Sequence, residues 1–111
     1  MPKEDDVILE NFKIENLVKD NKIASLVART PMIVVYNNTT DYGKLYVARL
    51  WKYRNLNKKR FNSLLPQGSH IPTKYIVTGN SMNEIRNKMP WFLNFLPRYQ
   101  EDDPCIVGLY I

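Results

Sequence analysis

Lys44-Leu45-Tyr46-Val47-Ala48-Arg49-Leu50-Trp51-Lys52-Tyr53-Arg54 is the stretch on which the fold class turns, because it is the longest strand candidate in the chain. Strand alternation puts Leu45, Val47, Arg49, Trp51 and Tyr53 on one face, and Lys44, Tyr46, Ala48, Leu50, Lys52 and Arg54 on the other. Both faces are partly apolar, as in a strand near the middle of a sheet. Asp41-Tyr42-Gly43 just before it is turn chemistry, and Met32 to Tyr36 (MIVVY), bounded by Pro31 and Asn37-Asn38, reads as a preceding strand. Thr73 to Thr78 (TKYIVT), closed by Gly79-Asn80, is the next strand.

Further out, Ser81-Met82-Asn83-Glu84 is a capping box, since the serine hydroxyl and the glutamate can each satisfy a free amide at a helix start. It predicts a helix over 81–89, stopped by Pro90, with Met82, Ile85 and Met89 on one face. Cys105 to Ile111 reads as a terminal strand with Cys105, Val107, Leu109 and Ile111 on one face. In the first 30 residues, Ile14, Leu17, Val18 and then Ile23, Leu26, Val27 repeat a helical spacing out of phase, which predicts two short helices or one broken helix. The expected fold is therefore α+β: an N-terminal helical segment, a mainly antiparallel sheet of about four strands, and one capped helix (81–89) before the last strand. The expected division is a helical extension over 1–30 and an α+β core over 31–111, carrying a basic loop insertion at 55–71.

The chain has 111 residues, 44% hydrophobic and 24% charged, which suits one domain able to bury a core without staples. A single cysteine, Cys105, excludes an intramolecular disulfide and a cysteine-based zinc site, and the lone His70 excludes histidine-rich metal sites. The charged start Met1-Pro2-Lys3-Glu4-Asp5-Asp6 is unlike a secretory signal, and no apolar run approaches the ~18 residues of a membrane span. A cytoplasmic protein without a membrane partner is expected.

The formal charge of +5 is unevenly spread. Residues 42–100 carry Lys44, Arg49, Lys52, Arg54, Lys58, Lys59, Arg60, Lys74, Arg86, Lys88 and Arg98 against Glu84 alone, while both ends are net acidic. Such a middle section projects a positive potential unless the acidic ends fold over it. Lys58-Lys59-Arg60-Phe61 sets three cations beside an aromatic ring, with Lys52 and Arg54 just upstream and Lys74 on the following strand. Cations pair with phosphates and an aromatic face stacks on an unpaired base, so these seven residues form the candidate contact set. A plain solvated loop and a site for an acidic protein partner are the competing readings.

Pro90 to Pro97 (PWFLNFLP) holds three aromatics and two leucines, either as an exposed docking patch or as a cap on the sheet. The second is favoured, because large aromatics dominate small cores. Glu101-Asp102-Asp103 lacks the carboxylates from separate elements that metal-dependent nucleases need, and Asp103 before Pro104 suits a turn. His70 has no nucleophile or orienting carboxylate nearby, Cys105 reads as a core residue, and no P-loop, dinucleotide fingerprint or nucleophile elbow occurs. No catalytic residue, metal or cofactor is expected, and an enzyme using Glu84 with the Glu101–Asp103 cluster is the weakest class.

The ordered blocks Tyr46-Val47-Ala48-Arg49-Leu50-Trp51, Pro72-Thr73-Lys74-Tyr75-Ile76-Val77, Ser81 with Glu84-Ile85-Arg86, Leu96-Pro97-Arg98, and Glu101-Asp102-Asp103-Pro104 with Ile106-Val107 resemble a family of small, largely uncharacterised proteins of Gram-positive bacteria. Members are common on plasmids and other mobile elements, and the likeness spans residues 42–111. It transfers no catalytic residues. The chain departs from it in the stretch around Asn55–Ser69, where the family has a short turn, and in the first 30 residues. Additions of this kind are where specialised activity is grafted onto a scaffold. In size and habitat the chain is also similar to type II anti-CRISPR proteins, which implies a non-enzymatic inhibitor of an RNA-guided effector nuclease. Its partner would then be the effector, its guide RNA, or both, reached through the basic surface. The alternative is a general nucleic-acid-binding accessory protein of a plasmid or conjugative element. A homo-oligomer remains open, since the last strand can be a free edge or be covered.

Overall fold

The computed structural model describes residues 5–16, 21–28, 32–55 and 68–111. Strand β3 (Tyr46–Asn55) sits inside the sheet, antiparallel to β2 (Met32–Tyr36) on one side and to β4 (Gly68–Gly79) on the other. Its register sets Ile33 opposite Leu50 and Val35 opposite Ala48 on one face, with Val34 opposite Arg49 and Tyr36 opposite Val47 on the other. The remaining strands are β1 (Val7–Ile8), β5 (Phe95–Pro97) and β6 (Ile106–Tyr110), and the order across the sheet is β1-β4-β3-β2-β6-β5. All pairs are antiparallel except β1 with β4.

This corrects the expected α+β layout of about four mainly antiparallel strands behind a helical segment. Among the described residues the sheet is mixed and six-stranded, and two short helices, α1 (Asn21–Ala28) and α2 (Met82–Asn87), accompany it. The two unforeseen strands have two and three residues, too short to show a period of two. β1 exists because the Leu9 amide reaches the Ile76 carbonyl (2.8 Å) and because Asp6 is anchored on β3, as described below. Of the first helical triplet, Ile14 lies in a single 3₁₀ turn (Ile14–Asn16), and Leu17 and Val18 fall outside the described residues. The second triplet lies in α1, which buries Ile23 and Val27.

Helix α2 opens with the Glu84 amide donating to Ser81 Oγ (3.2 Å), as the capping box predicts, while the Glu84 carboxylate accepts from the Asn80 amide, one residue before the cap. It ends at Asn87, short of 89, because the Lys88 and Met89 amides turn to Ile85 and Arg86 and close the last turn as 3₁₀. The Lys88 carbonyl left over accepts from the Phe12 amide (2.7 Å), which ties the N-terminal segment to the helix end.

One face of the sheet meets both helices. Phe12, Ile23, Val27, Ile33, Val35, Ala48, Leu50, Val77, Ile85, Met89 and Tyr110 form this core, so residues before and after position 31 share one cluster. The opposite face buries Val34, Val47 and Ile76. On β6 the expected face is reversed: Gly108 and Tyr110 pair with Val35 and Ile33 on the core side, whereas Leu109 faces away with Val34. Beyond these pairs a register shift between Val35 and Tyr36 sets Ile106 opposite Tyr36, and Cys105 is half-exposed rather than in the core. Gly108 is required by close approach, since a Cβ there would meet the Leu96 carbonyl and the Phe95 ring at 2.5 Å. β6 is not an edge, because β5 covers it.

Candidate functional site

Of the candidate contact set, Lys52, the backbone of Arg54 and Lys74 lie on the β3–β4 ribbon, whose two strands are the longest among the described residues. Asn55 pairs with Gly68, Arg54 with Ser69 and Tyr53 with His70, so the connection shrinks from the expected 55–71 to 56–67, and His70 is a strand residue. Lys52 is exposed and pairs with Ile71. Lys74 is exposed in a bulge of β4 between the pairs Trp51–Pro72 and Arg49–Ile76, with its Nζ 5.7 Å from the centre of the Tyr75 ring. Lys58, Lys59, Arg60, Phe61 and the side chain of Arg54 lie outside the described residues.

Several other cations of the basic middle are committed to the fold. Lys88 Nζ donates to the Thr78 carbonyl (2.8 Å), Arg86 to Asn83 Oδ1, and Arg98 to the carbonyls of Tyr99 and Asp102. Arg49 is tied most firmly. Its Nη1 and Nη2 meet the two Asp6 carboxylate oxygens at 2.9 Å each, and Nη1 also donates to the Thr73 carbonyl. The pair is largely shielded, with the side chains 14% and 3% exposed, and the Tyr42 hydroxyl donates to Asp6 Oδ2 at 2.7 Å. The Asp6 hydrogen bonds hold the Arg49 guanidinium above its ordinary pKa, against the opposing pull of burial.

Beside this pair, on the face away from the helices, lies an open concavity of about 230 Å³. Tyr36, Val47, Arg49, Trp51 and Pro72 line it from the sheet, and Thr39, Asp41 and Tyr42 from the β2–β3 turn. Among the described residues the Trp51 indole N–H is buried without a well-formed hydrogen bond, and the Tyr36 hydroxyl is the polar group beside it. The indole lies near enough to that hydroxyl to favour its ionised form, as does Arg49, but burial outweighs both and raises the Tyr36 pKa. None of this was read from the sequence. The available signal was Arg49 alone among apolar residues on its face of β3, a position that demands a partner; Asp6, 43 residues away, carries no mark of being that partner.

Tyr42 is pushed up to about 12, first by burial and then by its bond to Asp6. Its folded pKa exceeds the ordinary 10.0, so the contribution is complete below pH 10 and is lost as pH rises through about 12. Tyr42→Phe should cost about 1.5 kcal/mol at neutral pH, as for a hydrogen bond to a charged group. Urea melts at pH 8 to 11.5 should show a shallower alkaline loss in the variant than in the parent, and parallel curves would contradict the assignment.

The Pro90–Pro97 segment does not cap the core as expected. Trp91 is 87% exposed, and Phe92, Phe95 and Leu96 are also exposed, because the helices already fill the core face and β5 lies at the sheet edge. Asn94 and Ile111 exchange both backbone bonds and Arg98 donates to the Val107 carbonyl, so alternation turns the backbone groups of Phe95 and Pro97 outward. Pro97 has no N–H to offer, which blunts the edge against strand addition.

Glu84 serves the cap of α2, Asp102 accepts from the Tyr99 amide, and Asp103 accepts from the Cys105 amide. No group of three or more potential metal ligands occurs among the described residues, and no helix there is long and apolar enough to cross a membrane. No family model, curated protein or solved structure matches the chain.

Proposed function

We propose that this chain is a non-enzymatic nucleic-acid-binding protein that works from the distal end of the β3–β4 ribbon, and that its target is the guide RNA of a type II RNA-guided effector nuclease. The observation that carries the reading is the pairing of Asn55 with Gly68. It brings the two ends of the connection 56–67 side by side, and that connection carries Lys58, Lys59, Arg60 and Phe61 in its sequence, beyond exposed Lys52. A two-stranded ribbon with cations at its end suits contact with a phosphate backbone, which dominates affinity for nucleic acids. Several cations elsewhere in the middle section are engaged with Asp6, Thr78 and turn carbonyls, which turns attention to the basic run Lys58-Lys59-Arg60. Carboxylates engaged in the α2 cap and in the turn before β6 support a binding role over a hydrolytic one. A cation-bearing inhibitor competing for guide contacts would hinder assembly or target loading of the effector.

Fluorescence anisotropy with labelled guide RNA, single-stranded DNA and duplex DNA tests this directly. Affinity should fall with salt, with a log–log slope of about −0.7 per phosphate contact on single strands and about −0.9 on duplex. The triple variant Lys58→Ala, Lys59→Ala, Arg60→Ala should flatten that slope and weaken binding at least tenfold. Preference for guide RNA, with slowed target cleavage by the effector, supports the inhibitor. Equal binding of all three supports a general accessory protein instead, and no binding of any would turn the search to protein partners.

A further inference from the structure

We propose that the concavity beside the Asp6–Arg49 pair is a pocket for one unpaired nucleobase, with the Trp51 indole N–H as its buried donor. The inference rests on the nucleic-acid reading and names the part of the ligand that this face would take.

The chemistry of the lining selects the occupant. The Arg49 charge is cancelled by Asp6, and Asp41 adds a carboxylate to the lining, so the pocket repels a phosphate. Tyr36, Tyr42, Trp51 and Pro72 supply flat or apolar surface, which suits an uncharged planar body. A buried indole N–H whose polar neighbour, the Tyr36 hydroxyl, makes no well-formed bond to it is under-satisfied, and a ligand carbonyl or ring nitrogen would relieve it. Tyr36 also lines the pocket, and its hydroxyl is a second group able to donate. Asp41 can accept from an amino or imino group. Nucleobases combine a π-face with carbonyl or ring-nitrogen acceptors and N–H donors. A paired base has these edges engaged and its faces stacked, so only an unpaired one can enter. Trp51 lies four residues before Asn55, the last described residue of β3, so the pocket is about 13 Å along the strand from that end.

The test uses the full chain carrying Trp91→Phe, which leaves Trp51 as the sole tryptophan; Trp91 is 87% exposed, so the change leaves the core intact. Two labelled ligands are compared: an eight-nucleotide RNA of mixed sequence, and an abasic ribose-phosphate chain of the same length. The RNA should quench Trp51 emission and bind about tenfold more tightly than the abasic chain, in the range of one stacked base. Trp51→Phe in the otherwise unaltered chain, which keeps a ring but removes the N–H, should reduce that preference to twofold or less while circular dichroism stays unchanged. Equal binding of both ligands without quenching overturns the pocket and leaves the nucleic-acid reading standing. Binding of neither overturns both.

Discussion

Phe12→Ala should lower the unfolding free energy by about 3–5 kcal/mol, the range for truncating a fully buried phenylalanine. Phe12 is 0% exposed and packs in the same cluster as Leu50, Val77 and Ile85, while its amide closes the end of α2 at Lys88. Total stability of a domain this size is of the order of 5–15 kcal/mol, so the variant should be close to unfolded at physiological temperature. Urea denaturation followed by circular dichroism measures the loss. A change below about 1 kcal/mol would show that the segment before α1 packs on the core without belonging to it. The same packing bears on function, because removing everything before Met32 would strip Phe12, Ile23 and Val27 from the core. Such a truncation reports on folding rather than on any masking of the basic ribbon by the acidic N-terminal segment.

Asp6→Ala should cost about 3 kcal/mol, since it leaves the Arg49 guanidinium largely shielded and without its carboxylate. The Tyr42 hydroxyl loses its acceptor in the same step. Arg49→Met should cost less than Asp6→Ala, because Tyr42 still satisfies one oxygen of the remaining carboxylate. The double variant should be less destabilised than the sum of the two, with a coupling of about 1–3 kcal/mol between groups in direct contact. Thermal melts of the four proteins close this cycle. Additive effects would mean that the 2.9 Å bidentate geometry contributes nothing beyond the two side chains taken separately. Hydrogen exchange at the Leu9 amide should quicken in Asp6→Ala, because β1 pairs over only two residues and depends on this anchor.

What the sequence determined by itself lies in segments whose pattern is local and repeats at least twice. Met32–Tyr36, an apolar run between turn residues, and the long run ending at Arg54 identify strands, and Ser81 with Glu84 marks a helix start through bonds made within four residues. The charge bias of the middle section was equally plain. Only the tertiary structure decided the rest, because it depends on partners far along the chain. Val7–Ile8 and Phe95–Pro97 become strands only because β4 and β6 present free edges to them. The choice of core face on β6 follows from its pairing with β2, which sets Gly108 opposite Val35 and Tyr110 opposite Ile33. Trp91, Phe92, Phe95 and Leu96 are out in solvent because Phe12 and the two helices already occupy the core. At the candidate site, the exposed lysines of the ribbon were visible as charge, whereas the pocket was not: Asp6, Tyr42, Arg49 and Trp51 meet across three separate elements. Periodicity records which way a side chain points. It does not record which distant residue arrives to cover it.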